Sequence, residues 1–577
     1  MANLFSLPFL VTMVRALLVI ILLAFHFSVS AQVPAWQSAR AVAVATATAN
    51  SSSQVTATAI DAAGNVYLAG NFTGAVVLGG TTLTSLGYYD VFVTKFDPVS
   101  NQFVWAQRAG GMGDDRVDAL ALSGTNVYVA GYFGSPTAAF GSTTLINSGG
   151  STGATDVFVA KLTAAGSFAW SQRAGGSGPD YATALAMNGP SVYVAGHFDG
   201  SVASFGAIAL TSAGLSDIFV AKLADAGSTS SFVWAQRAGG TWGDYAAALA
   251  VSGASVYVAG GFGSAAVAFG SAILTSTNPN ANLNDIYVAK LTDAGSTGSF
   301  VWAQRAGGTG SDGASTLVVN GTSVYMAGTF GSPIAGFGAA VLANADASTG
   351  TPDAFVAKLT DAGSTGSFVW AQRAGGTYYE EANALAVNGN SVYIAGMFGS
   401  TMADFGPVTL TNVGFADVYV AKLTDAGGTA SFAWAQRAGG RGFDVATALT
   451  VSGTSLYASG YVQSTSAGFG TTVLSNPSPG TSLGFLASLT DPILTATTTG
   501  RTHTAAQLYP NPAHHTATLR LPVGPAAAPL TLTDALGRAV RRYPTPVGPE
   551  TALDLGGLPA GLYLLRGAGP AQRLAVE

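Results

Sequence analysis

Ten residues beyond each of six tryptophans stands an acid: Asp115, Asp180, Asp244, Asp312, Glu380 and Asp444 follow Trp105, Trp170, Trp234, Trp302, Trp370 and Trp434. Converging carboxylates suit a hard cation bound through oxygen, and calcium is the one cofactor they suggest. The plainer role is local, since Asp commonly accepts backbone N–H bonds within a turn. Recurrence in unit after unit favours that role. The loops beside the acids differ, reading GMGDDR, GSGPDY, GTWGDY, GTGSDG, GTYYEE and GRGFDV. They bring Tyr181, Trp242, Tyr245, Tyr378, Tyr379 and Phe443 to the same face. Aromatics beside carboxylates offer a platform for a carbohydrate or peptide, and concave mouths are common ligand sites. Packing is the competing account of these rings.

Other chemistry is sparse. The five histidines are His26, His197, His503, His514 and His515, and no HExxH, GxSxG, Walker or EF-hand pattern occurs. His197 stands where sibling units have Tyr132, Gly261, Thr329 and Met397, so an exposed variant position is expected. Lys95, Lys161, Lys222, Lys290, Lys358 and Lys422 are the chain's only lysines and share one strand position. Arg108, Arg173, Arg237, Arg305, Arg373 and Arg437 share another. A catalytic group is needed once, so these repeats predict cross-strand pairing and solubilised edges.

The chain has 577 residues, 75 of them Gly, none Cys, and only 9% charged. Its mean hydropathy of +0.38 excludes a disordered or coiled-coil chain. A formal charge of −6 gives no electrostatic reason for a nucleic-acid partner. Residues 1–31 read as a signal peptide: Arg15, the apolar run Ala16 to Phe27, then the small-residue site Val29-Ser30-Ala31. No later stretch is apolar for the roughly 18 residues that a membrane span needs.

The elements that must position these groups repeat. FVWAQRAGG-like phrases surround the six tryptophans, and a divergent copy, AWQSARA, surrounds Trp36; successive spacings are 69, 65, 64, 68, 68 and 64 residues. SVYVAGxFG recurs around Tyr67, Tyr128, Tyr193, Tyr257, Tyr325, Tyr393 and Tyr457, and DxFVAKL begins at Asp90, Asp156, Asp217, Asp285, Asp353 and Asp417. Each unit reads as four short strands divided by Gly, Asn, Ser and Asp turns, with a longer loop between the second and third. Apolar runs such as VYVAG predict sheets buried on both faces, and small-residue strands such as Ala182 to Ala186 suit a crowded axis.

This is the pattern of a β-propeller. After residue 50 the first three strand types occur seven times and the Trp strand six, so the segment around Trp36 is expected to supply the missing outer strand. The predicted fold is therefore all-β: a seven-bladed propeller over residues 32–490, closed by an N-terminal strand. A linker spans 491–504, and a small β-sandwich occupies 505–577.

The repeats resemble the SBBP propeller family through DAAGNVYLAGNF (Asp61 to Phe72), SVYVAGHF (Ser191 to Phe198) and DVFVAKL (Asp156 to Leu162). That resemblance implies the fold and little about activity. The tail is similar to the type A C-terminal sorting domain of the Bacteroidota type IX secretion system. The motif residues are Tyr509, Pro510, Asn511 and Pro512, the turn at Gly537 and Arg538, and Gly561 and Tyr563 in the LxxGxYxL strand. It implies partnership with the type IX machinery and a secreted or surface-attached product. The expected function is that of a monomeric binding module for a glycan or a surface protein. A polysaccharide lyase or hydrolase using the channel-mouth acids is one alternative, and a structural spacer is another.

Overall fold

The Val-, Phe- and Tyr-rich runs pair as antiparallel sheets. The structure, a computed structural model, describes residues 33–45, 51–150, 154–278, 283–491, 507–520, 529–534, 538–546, 550–566 and 572–577. The expected signal peptide, most of the linker and Gly537 lie outside the described residues. Among the described residues there is no helix, hence none long and apolar enough to cross a membrane. The chain divides into two compact units between Ile493 and Leu494.

Sheet 3 shows the pattern of the larger unit: Asp180–Asn188, Ser191–Asp199, Ser216–Asp225 and Ser230–Ala238 lie side by side in that order. Seven such four-strand sets occur among the described residues, their inner strands being Ser52–Ile60, Asp115–Ser123, Asp180–Asn188, Asp244–Ser252, Asp312–Asn320, Glu380–Asn388 and Asp444–Ser452. In sheet 7 the outermost strand is Trp36–Val42, which runs antiparallel to Leu483–Thr490, with Trp36 opposite Leu489 and Val42 opposite Gly484. Trp36 is buried and stacks edge-on against Phe469, centroids 5.2 Å apart.

Each inner strand carries one bulge residue, and where that residue is Thr or Asn its side chain bonds the neighbouring inner strand. Thr56 Oγ1 donates to Val117 O at 2.7 Å and Thr183 Oγ1 to Ala246 O at 2.7 Å. Thr447 Oγ1 donates to Val55 O at 2.6 Å, so the seventh inner strand touches the first.

The expected longer loop between second and third strands is a β-hairpin instead, as in Val202–Phe205 with Ile208–Thr211. Its first strand bonds the outer strand of the preceding sheet, Ala174 opposite Phe205, so sheet edges are paired rather than left open. Strands of four residues are too short for periodicity to reveal; only the recurring Phe-Gly turn marks them.

Apolar clusters form between sheets. Trp302 and Tyr257 of sheet 4 pack with Phe355 of sheet 5 and with Phe337 of the hairpin inserted in it. Between these same sheets lies a polar latch. Lys290 Nζ reaches Asp361 Oδ2 at 2.6 Å and Gly363 O at 3.1 Å, Tyr257 OH donates to the same carboxylate at 2.6 Å, and Trp302 Nε1 does so at 3.1 Å. Gly363 has φ +92°, the left-handed turn that aims its carbonyl at the lysine. The same latch forms at Asp225, Asp293 and Asp425, and at Asp491 with Lys422 and Tyr393.

Five of the six lysines, all but Lys95, are therefore buried ties between sheets, which corrects the expectation of solubilised edges. The arginines do pair across strands, as Arg108 with Asp90 and Arg437 with Asp417. Sheet 2 has Ala164 at the latch position, and Trp105 Nε1 settles for its carbonyl at 3.1 Å. Ala164→Asp should therefore add a partner for Lys95 and Trp105, raising stability by about 1 kcal/mol, the worth of one added hydrogen bond. Chemical denaturation of the larger unit checks it; an unchanged midpoint counts against the latch.

The C-terminal unit has a sheet of Gln507–Tyr509, Thr516–Arg520 and Glu550–Asp554 and a second of Ala539–Tyr543, Leu530–Thr533, Gly561–Arg566 and Gln572–Val576. Leu519, Leu532, Leu553, Leu565 and Leu574 share one buried cluster.

Candidate functional site

The six repeated acids begin the inner strands and are at most 1% exposed. Each serves its own loop. Asp312 Oδ2 accepts from Gly308 N at 2.7 Å and from Ser332 Oγ at 2.6 Å, while Ser332 Oγ accepts from Gly310 N at 2.8 Å. The same relay runs from Asp244 through Ser264 to the Trp242 N–H. Through Ser400, whose N–H donates to Glu380, it reaches the Tyr378 N–H. Asp115 and Asp444 bind Ser135 and Ser464 likewise. The AGG glycine fits between one of these acids and the Asp that opens the third strand: a methyl on Gly175 would lie 2.4 Å from Asp156 Oδ1 and 2.5 Å from Asp180 Oδ2.

Asp180 lacks the serine, having Gly200 in its place. Burial, with Asp156 and Asp199 adding repulsion against the Gly176 N–H, pushes it up to about 8, against about 6 for Asp244 and Asp312. The acids thus position the aromatic loops, and their carboxylates face the protein. Among the described residues no three His, Cys, Asp or Glu side chains gather as a metal cluster.

The predicted aromatics fall into two groups. Tyr181 packs against Tyr132 and His197, centroids 4.8 and 4.9 Å away, and His197 against Tyr245 at 4.9 Å. His197 is wedged between tyrosines rather than exposed, and burial lowers it to about 4, so it is neutral at physiological pH. Trp242 lies apart on its loop, 45% exposed.

The second group forms a cleft of about 490 Å³ where sheets 6 and 7 meet. Tyr378, Tyr379 and Phe443, expected from the sequence, line it with Phe415, Tyr461, Met397 and Glu381, which were not. Phe415 comes from the connection between a hairpin and the third strand that follows it, and Tyr461 from a second strand, so only the fold brings them to the inter-sheet loops. A parallel bridge between Ala416 and Phe443 holds the two walls together. Tyr379 OH donates to Glu381 Oε1 at 2.5 Å and Asn383 Nδ2 to Oε2 at 3.2 Å. Burial raises Tyr461, and the Glu381 charge adds to that.

A second pocket is lined by inner-strand residues of all seven sheets, among them the bulge residues Thr56, Asp118, Ala247, Ser315, Asn383 and Thr447. Asp118 is its one carboxylate. Desolvation pushes it up to about 7, with Arg116 opposing and Asp114 adding. At the sibling position Asn383 Nδ2 donates to Ala446 O at 3.3 Å. Because the fold raises its pKa, Asp118 costs stability increasingly as pH climbs from about 4 to 7, and fully above. Asp118→Asn should therefore stabilise by about 2 kcal/mol at pH 8, discounted for solvent screening, with the gain fading toward pH 4. Thermal denaturation at both pH values reads it; a pH-independent effect contradicts it.

In the C-terminal unit the sorting residues are knit into the sheets. Asn511 Nδ2 donates to Arg573 O at 2.8 Å and its Oδ1 accepts from Ala575 N at 2.9 Å. Tyr509 OH meets Glu550 Oε1 at 3.0 Å, Pro510 and Pro512 follow cis peptide bonds, and Arg538 closes a turn on Asp534. Tyr563 OH donates to Pro559 O at 2.7 Å, and Gly561 lies opposite Val576.

Residues 507–573 match the family described as secretion system C-terminal sorting domain. The chain thus carries the type IX sorting domain, which supports export to a secreted or cell-surface location through the type IX machinery. No curated protein matches the chain. Similar solved structures include a protein of unknown function from Dyadobacter fermentans, 10% identical, covering 79% of this chain and 98% of its own, TM-score 0.34. Others are the quinohemoprotein alcohol dehydrogenase from Comamonas testosteroni (12% identical, 77% of each chain, TM-score 0.33) and Sqt1 from Chaetomium thermophilum (9%, 78% and 100%, TM-score 0.36).

Proposed function

We propose that this is an exported binding module: a closed seven-bladed propeller of the SBBP kind over residues 32–490, with a leader at 1–31, a linker at 491–504 and the sorting domain at 505–577. The fold reading draws support from Trp36–Val42 completing the last four-strand sheet and from the bond between Thr447 and Val55. The binding reading rests on one observation, the aromatic cleft of about 490 Å³ built from the variable loops. Its ligand belongs to a glycan or a surface protein. A lyase or hydrolase needs open carboxylates, and the buried bonding of the repeated acids weighs against it.

The test is full-chain binding to glycan and peptide arrays, repeated with Phe443→Ala. Retention that falls at least tenfold in the variant supports the cleft, since a stacked aromatic carries about 1.5 kcal/mol or more. Retention unchanged by the variant, or absent throughout, overturns it.

A further inference from the structure

We infer that the cleft recognises an organic ammonium group, a trimethylammonium head or a methylated lysine side chain; this rests on the reading of the cleft as the ligand site. Its walls carry the rings of Tyr378, Tyr379, Phe415, Phe443 and Tyr461, and ring faces attract cations through their quadrupoles. Glu381 is the only charged side chain in that lining; no Lys, Arg or His shares it. Tyr379 and Asn383 fix the Glu381 carboxylate from one side each, holding a negative charge at an apolar wall with no cationic partner among the described residues. That combination is complementary to a charge spread over methyl groups. Such a cation sheds water cheaply, as an ammonium ion does not, and keeps its charge at every physiological pH. A neutral sugar would instead call for several convergent polar groups, and beyond Glu381, the tyrosine hydroxyls and Thr351 the lining offers few.

The full chain is titrated calorimetrically with choline and with 3,3-dimethylbutanol, its uncharged carbon isostere, and then with a trimethyl-lysine peptide. Binding of choline at least tenfold tighter than the isostere supports the inference, and a Glu381→Gln variant should lose five- to tenfold for choline and nothing for the isostere. A response to choline alone, or to the peptide as well, distinguishes a small free ligand from a modified protein. Equal binding of choline and isostere, or array binding of glycans that choline does not displace, overturns the ammonium class while leaving the cleft intact. No binding by any probe, arrays included, overturns both.

Discussion

Asp361→Ala lowers the stability of the larger unit by about 3–5 kcal/mol, the cost of leaving one member of a buried ion pair alone. The substitution strips Lys290, 6% exposed, of its carboxylate and leaves Tyr257 OH and Trp302 Nε1 without their acceptor. Burial pushes Asp361 up, but Lys290, Tyr257, the Gly363 N–H and Trp302 outweigh it and hold it below the ordinary carboxylate range. A lowered acid contributes stability above its unfolded pKa, and the contribution is lost as pH falls through the folded one. The penalty of Asp361→Ala should therefore be full at pH 7 and shrink only below about pH 4. Urea denaturation at both pH values measures it. A loss under 1 kcal/mol at pH 7 would mean that the lysine finds other partners.

The second large effect is at the seam. Trp36→Ala removes an aromatic that is 6% exposed, stacked on Phe469 and bonded through Nε1 to Arg437 O at 2.9 Å. Truncations of buried aromatics cost about 3–5 kcal/mol. Deleting residues 33–44 goes further, baring the Leu483–Thr490 edge for pairing with another chain. Light scattering should then show concentration-dependent association at temperatures where the intact chain is monomeric. A deleted chain that melts as the intact one does would place the stability elsewhere.

The frame of this protein is legible because it is repeated. The Trp phrase, the VYVAG strand and the missing seventh outer strand locate the sheets, and AWQSARA is found opposite GFLASL, where strand counting assigns it. What repetition hides is the direction of a side chain. The lysines look like a solubilised stripe because the partners of five of them, Asp225, Asp293, Asp361, Asp425 and Asp491, lie 64 to 71 residues further on, in turns that resemble ordinary loops.

The acids after each tryptophan are correctly tied to turns, yet their connection through serine 20 residues on, as from Asp115 to Ser135, appears only in three dimensions. At the cleft the sequence yields Tyr378, Tyr379 and Phe443, which are adjacent in the chain to the repeated acids. It misses Phe415, which belongs to none of the repeated phrases, and Tyr461, which holds the variable position of SVYVAGxFG beside its sibling Met397; both meet the others only across a sheet junction.

One measurement tests the proposed closed wheel most directly. Ala39 lies opposite Ala487, and the natural chain contains no cysteine to compete. Paired strand positions approach closely enough, about 4.5–5.5 Å between Cα atoms, for a disulfide. The double variant Ala39→Cys/Ala487→Cys, oxidised under folding conditions, should run as a faster-migrating monomer on non-reducing gels, with peptide mapping joining the two segments. Free thiols, or cross-links only between molecules, would contradict the pairing and with it the sevenfold ring.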